Sequence, residues 1–333
     1  PSWTAADIAT SADGALDVHV ADMDGDGDLD IVSASINDDT IAWYENDGAS
    51  DPSWTAADIA TSADGALDVH VADMDGDGDL DIVSASITDD TIAWYENDGA
   101  SDPSWSAADI ATSADGAWDV HVADMDGDGD LDIVSASYVD STIAWYENDG
   151  ASDPSWTAAN IDTNADSARD VHVADMDSDG DLDIVSASAF DDTIAWYEND
   201  GAANPSFTAA DIATSADRAH DVYVADLDGD GDLDLFCCRY PHAELSGGVP
   251  SPYHEAVNGA RNLYWRNEGG RNFVECAEEV GLGQVGTGQV GPVQAGNAQV
   301  GTAQVSPVQA GLIQVGLVQV GPTQIGYAHV GFP

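Results

Sequence analysis

A 51-residue period constrains this chain more than any other feature, because Trp3, Trp54, Trp105, Trp156 and Phe207 recur at that spacing in near-identical surroundings. A chain of this kind must build one small unit several times and bury apolar surface between neighbouring copies. The copies are so alike that their likeness does not separate working residues from passengers of duplication.

Four short β segments fill one unit. In the first, Leu16, Val18 and Val20 alternate with Asp17, His19 and Ala21 at the period of two expected of a strand. The Asp/Gly run from Asp22 to Asp28 breaks it, and a second strand is expected from Leu29 to Ser35, ending at the turn Asn37-Asp38-Asp39. Thr40 to Glu45 is β-branched and aromatic, as strands favour. A loop by composition covers 46–52, and Trp54 to Thr61 supplies the fourth strand.

Four strands in a unit of this length predict an all-β fold, a β-propeller built from four-stranded blades of about 51 residues. Loop-bearing units fall near 16–61, 67–112, 118–163, 169–214 and 220–280, and residues 1–10 read as a lone fourth strand, left from a preceding blade or kept to close the ring. Five units make either a five-bladed ring or an incomplete larger one. In the fifth, residues 236–260 read as an insertion between second and third strands, after which Leu263 to Glu268 and Asn272 to Ala277 resume the pattern.

The propeller domain is thus expected over 1–280. Residues 281–333 form a Gly-x-x-Gln-Val pentad tail without acid or Arg, readable as low-complexity disorder or as a five-residue β-solenoid with Val stacked inside.

Charge narrows the partners. Against 64 Asp plus Glu stand 6 Arg and no Lys, a formal net charge of −58, so nucleic acid and anionic membrane surfaces are repelled. Carboxylates at this density call for bound cations or a salty setting. Hydrophobic residues at 43% still suffice for a sizeable core. Cys237, Cys238 and Cys276 are too few for a disulfide framework. No run reaches membrane-span length, and Pro1 opens the chain without a Met or signal-peptide pattern, which reads as a fragment or mature segment.

The acids concentrate in a nine-residue motif, Asp-Met-Asp-Gly-Asp-Gly-Asp-Leu-Asp or a close variant. The first copy places Asp22, Asp24, Asp26 and Asp30 at positions 1, 3, 5 and 9, with Asp28 at position 7 offering its carbonyl and Gly27 at the sharp turn. The equivalents are Asp73, Asp75, Asp77, Asp79 and Asp81; Asp124, Asp126, Asp128, Asp130 and Asp132; Asp175, Asp177, Asp179, Asp181 and Asp183; and Asp226, Asp228, Asp230, Asp232 and Asp234. Ser178 replaces a glycine in the fourth copy, and Leu227 replaces Met in the fifth.

Calcium takes about six to eight hard oxygen ligands, which alternate inward side chains and a carbonyl of a short loop can supply, so about five Ca2+ ions are expected. An acidic turn without an ion would crowd four carboxylates into nine residues against their own repulsion. An EF-hand shares the opening but requires a bidentate Glu at position 12, where Ser33, Ser84, Ser135, Ser186 and Arg239 stand. The following Leu-Asp-Ile-Val-Ser-Ala-Ser is strand-like, so the loop joins two strands.

The pattern Asp-x-Asp-x-Asp-Gly-x-x-Asp in five in-register copies resembles the FG-GAP and VCBS repeats of integrin alpha chains and many secreted or surface proteins. The resemblance covers 16–280, and Leu263 to Leu282 also looks like the end of such a repeat. It implies a propeller with calcium in the loop between the first two strands of each blade, and an extracellular or cell-surface setting. It leaves the pentad tail aside.

Other residues have plainer readings. His19, His70, His121 and His172 share one place in the first strand and could ring a channel, but Tyr223 at that place in the fifth unit favours a structural role. Trp43, Trp94, Trp145 and Trp196 could stack on sugars, though packing between blades is the simpler use, and Trp118 stands out where earlier units carry Leu. No nucleophile motif or phosphate loop is present.

Three functions follow as expectations. The first is a calcium-binding, non-catalytic scaffold for extracellular protein or glycan interaction. The others are a polysaccharide-acting lyase or hydrolase propeller using His242, His254 and Glu255 of the 236–260 segment, and a passive calcium-buffering surface array.

Overall fold

Each repeat folds into one antiparallel sheet because its apolar residues alternate and its Gly/Asp runs force reversal. The computed structural model describes residues 7–239, 262–269 and 271–277, with the backbone of 317–319 and 325–327. The first blade comprises β1 (Ala15–Ala21), β2 (Asp30–Ser35), β3 (Thr40–Asn46) and β4 (Trp54–Ala60), hydrogen-bonded in chain order. The second holds β5 (Ala66–Ala72), β6 (Asp81–Ser86), β7 (Thr91–Asn97) and β8 (Trp105–Ala111). The third holds β9 (Ala117–Ala123), β10 (Asp132–Ser137), β11 (Thr142–Asn148) and β12 (Trp156–Asp162).

Blade 4 contains β13 (Ala168–Ala174), β14 (Asp183–Ser188), β15 (Thr193–Asn199) and β16 (Phe207–Ala213). Blade 5 contains β17 (Ala219–Ala225), β18 (Asp234–Arg239), β19 (Leu263–Asn267) and the short β20 (Phe273–Glu275). The all-β expectation holds, with five four-stranded sheets and no helix among the described residues.

Three expectations change in detail. Strand β18 runs on to Arg239, so Phe236 to Arg239 belong to the sheet and not to an insertion, while His242, His254 and Glu255 lie outside the described residues. Residues 7–10 form no strand, and 1–6 lie outside the described set. In the tail, β21 (Leu317–Gln319) pairs antiparallel with β22 (Ile325–Tyr327); the rest of 281–333 and the boundary near 281 lie outside the description.

Neighbouring blades stack face to face. Met23, Val32, Ile41 and Trp43 of blade 1 pack on Ala63, Ala66, Val69 and Val71 of blade 2, and the same contact recurs down the chain. The tryptophans therefore serve packing, with Trp43, Trp94, Trp145 and Trp196 all buried. First strands succeed one another as β1, β5, β9, β13 and β17, and among the described residues no comparable packing joins β17 back to β1.

The five blades thus form an open, propeller-like arc. Strands β1 and β5 both read Ala-Leu-Asp-Val-His-Val-Ala, yet Leu16 and Val18 are each 59% exposed while Leu67 and Val69 are 6% and 3%. Only the presence of a preceding blade distinguishes them.

Along these inner strands the imidazoles form a ladder. His19, His70, His121 and His172 stack with ring centroids 5.2 Å apart, and Tyr223 continues the row at 5.4 Å. Desolvation pulls His70 down to about 4 and His121 to about 3, so the rungs are neutral at neutral pH. Beside them Asp17, Asp68, Asp119 and Asp170 each accept the backbone N–H of a valine in the next blade, at 3.3, 3.1, 2.9 and 2.7 Å.

Candidate metal centres in the inter-strand loops

The loop after each first strand is shaped by its own carboxylates. Asp22 Oδ2 accepts Gly27 N–H at 3.0 Å, Asp24 Oδ1 accepts Asp26 N–H at 3.1 Å, and Asp26 Oδ1 accepts Asp28 N–H at 2.9 Å. These bonds curl the backbone around a common centre. Gly27 completes the curl at φ 97°, a region that a Cβ resists.

Position 9 is pinned differently. Asp30 is buried, its Oδ2 accepts Met23 N–H at 3.1 Å and its Oδ1 accepts Asn46 N–H at 2.8 Å. Each oxygen keeps a lone pair for another partner.

In blades 1 to 4, ligand atoms of positions 1, 3 and 9 lie within 4.8 Å of one another: Asp22, Asp24 and Asp30; Asp73, Asp75 and Asp81; Asp124, Asp126 and Asp132; Asp175, Asp177 and Asp183. Position 5, occupied by Asp26, Asp77, Asp128 and Asp179, stays outside these triads. Its carboxylate is engaged by the backbone N–H of position 7 at 2.9 to 3.0 Å. The carboxylates of Asp28, Asp79, Asp130 and Asp181 turn toward the loop after the third strand, where a Cβ on Gly48 or its equivalents would collide with them.

Blade 5 departs from this pattern. Its cluster is Asp226, Asp228 and Asp230, because Asp234 is occupied by Leu227 N–H, Asp228 N–H, Asn267 N–H and the Tyr264 hydroxyl at 2.9 to 3.2 Å. Tyr264 stands where other blades carry Trp43 and its equivalents. Asp232, at position 7, lies outside the cluster, and Arg266 Nε approaches Asp228 Oδ2 at 4.0 Å. A guanidinium thus sits where the other loops meet Glu45, Glu96, Glu147 and Glu198.

These glutamates were not singled out from the sequence. Glu45 is raised from its ordinary value first by desolvation and then by Asp24, Asp30 and other acids, which places it in the field of the first loop. A strand residue pointing toward a loop leaves no local spacing signal.

The donor set suits a hard cation. Asp22 Oδ1 and Asp73 Oδ1 are buried with no hydrogen-bond partner, an expensive state for a carboxylate oxygen unless a cation supplies the partner. Burial raises Asp81 to about 7 and Asp132 and Asp183 to about 6, despite the amide donors that oppose the rise. All-oxygen ligands in a short loop fit calcium better than softer metals. A cleft of about 250 Å³ between the third and fourth loops, lined by Asp124, Asp126 and Asp181, has room for several waters around such an ion.

Repeated four-stranded blades, each with an Asp-lined loop between its first two strands, define a class of propeller-like repeat protein with candidate metal sites on one end. The chain belongs to the FG-GAP-like repeat family, which matches residues 22–84, 73–135, 124–186 and 175–237. No curated protein matches its sequence.

Among solved structures it is similar to the Vibrio cholerae biofilm matrix protein Bap1, at 20% identity and TM-score 0.46, over 80% of this chain and 40% of that one. It is also similar to the Pseudomonas aeruginosa periplasmic gluconolactonase PpgL, at 14% identity and TM-score 0.39, over 59% and 56% of the two chains. A luciferin-regenerating enzyme is similar at 14% identity and TM-score 0.38, over 66% and 69%. No helix among the described residues is long and apolar enough to cross a membrane.

Proposed function

We propose that this chain is a calcium-loaded, non-catalytic repeat scaffold that works outside the cell and presents its ordered blades to a protein or glycan partner. The observation that carries the reading is the repeated convergence of three loop carboxylates within 4.8 Å in each blade. Calcium, when bound, neutralises these carboxylates and ties each loop to its sheet. Asp22, Asp24 and Asp30 would hold the first ion, with the carbonyl of Asp28 in reach of the same loop. Membership of the repeat family supports both the metal and the extracellular setting.

Blades rigidified at one end make the rest of each sheet a stable platform. The inner strands offer stacked neutral imidazoles and backbone-bonded carboxylates, groups already committed to packing. A passive buffering array would keep its blades equivalent, whereas the five copies differ at the end opposite the metal loops.

Calorimetric titration of the calcium-stripped protein tests the reading. About four to five ions per chain and a higher melting temperature with calcium are expected. No heat of binding together with an unchanged melting temperature in chelator would overturn it.

A further inference from the structure

Five near-identical blades ought to present five equivalent residues at any rim position, yet one position carries Leu16, Leu67, Trp118, Arg169 and His220 in succession. In every blade this residue is the extra one of a β-bulge, skipped where Ala15 pairs with Ser35 and Asp17 with Ala34, and likewise in the other four. Bulges re-aim side chains, and here they do so at the start of the inner strand. The metal loops lie at its other end, roughly 20 Å away at strand rise.

The divergent residues meet. Arg169 lies over the Trp118 ring at 4.6 Å and the Tyr138 ring at 5.2 Å, Trp118 contacts Tyr138 at 5.2 Å, and His220 meets Trp118 edge-on at 6.0 Å. Phe190 extends the cluster from the next turn, 5.8 Å from Tyr138, with Arg218 over it at 5.9 Å. Phe190 is 55% exposed, far from the burial expected of a packing residue. Tyr138 and Phe190 belong to the segment after the second strand, which in blades 1 and 2 reads Ile36-Asn37 and Ile87-Thr88. The aromatics therefore arise only where the bulge residues also change.

Cations collect here too. The chain has six arginines, and Arg169, Arg218 and Arg239 all sit at this end of blades 4 and 5, with Arg239 across the ladder from Ala219. Arg169 Nε is buried without a hydrogen-bond partner, a donor left open inside an aromatic wall. Flat apolar faces beside a guanidinium fork suit a sugar ring that carries a carboxylate: the ring's C–H face stacks, and the fork takes the carboxylate bidentately.

We propose that the rim formed by Trp118, Tyr138, Arg169, Phe190 and His220 is a single binding site for an acidic saccharide of the uronate class. The proposal rests on the scaffold reading for its partner class and is independent of calcium occupancy in the loops.

Titration calorimetry of the full chain with tri-galacturonic acid, at a fixed low calcium concentration, tests it against the fully methyl-esterified trisaccharide. Binding of the free acid and at least tenfold weaker binding of the ester are expected. Arg169→Gln should weaken the acid roughly tenfold or more, with Arg169→Lys intermediate, because a point charge lacks the fork. Phe190→Ala, at an exposed side chain outside the core, should weaken acid and ester alike and leave the melting temperature unchanged, so it keeps the test valid should an Arg169 variant misfold.

Equal binding of acid and ester, undiminished binding by the Arg169→Gln and Phe190→Ala variants, or no binding of the acid at all overturns the proposal. Calcium uptake measured on the same samples separates the two readings. Intact uptake without sugar binding sinks only the rim site, and sugar binding without uptake sinks only the calcium scaffold.

Discussion

Asn97 Nδ2 donates to the Met23 carbonyl of the preceding blade at 2.9 Å, and to its own blade's Leu80 carbonyl at 3.0 Å. Asn148 and Asn199 repeat the clasp on Met74 and Met125, each at 2.8 Å. One buried amide thus staples two successive metal loops together, and its removal strands one buried and one part-buried carbonyl. Asn148→Ala should cost about 1–3 kcal/mol in urea unfolding. A loss below a few tenths would show that the staple is incidental.

Calcium affinity should fall as the solution is acidified. Burial lifts Asp81 to about 7 and Asp132 and Asp183 to about 6, so these ligands hold protons in the metal-free protein that an entering ion must displace. Calorimetry in two buffers of different ionisation enthalpy should register proton release near pH 6. An affinity constant across about pH 5 to 8 would contradict this.

Ser178 occupies φ 62° where the other four copies place a glycine, including Gly25 at φ 72°. A side chain in that region is strained, so Ser178→Gly should stabilise the calcium-free protein by about 0.5–1 kcal/mol. The comparison to make is the urea midpoint of the two proteins; an unchanged or lowered midpoint rejects the strain.

The fifth loop should be the weakest. Its Asp234 is already engaged by four donors, and Arg266 stands 4.0 Å from Asp228. Arg266→Glu restores the residue type of the other blades and should tighten the last ion to bind by roughly tenfold, counted from competition with a calcium dye. If every ion binds equally before and after the change, the guanidinium has no influence.

Asp119 supplies a pH test away from the loops. Desolvation, then the charges of Asp68 and Asp170, hold its carboxyl well above the ordinary range. A carboxyl raised in the folded state contributes stability that is full below its unfolded value and lost as pH rises through the folded one. Asp119→Asn keeps an acceptor for Val171 N–H and should stabilise the protein more at about pH 8 than at about pH 4. Equal effects at both would remove Asp119 from the account.

Much of this was legible locally. The alternation of Leu16, Val18 and Val20 located β1 to within a residue, and the Asp/Gly run located the loop, because strand period and turn chemistry act over neighbouring residues. The division of labour within the loop was not legible. Asn46 N–H holds Asp30 at position 9 from another strand, whereas Asp234, held likewise by Asn267, also takes the Tyr264 hydroxyl from 30 residues away and lies outside its cluster. The rim depends on blades placing residues 118, 169 and 220 side by side, a distance no sequence window spans.

The bare flank of β1 gives the stack a direction. Leu16, Val18 and Val20 face water where Val69 and Val71 are covered, so among the described residues blade 1 is packed on one side only. In a linear array, opening starts at the unit with fewest neighbours and then bares the next. Amide exchange should therefore run ahead in blade 1 of blade 2, although their first strands carry the same sequence.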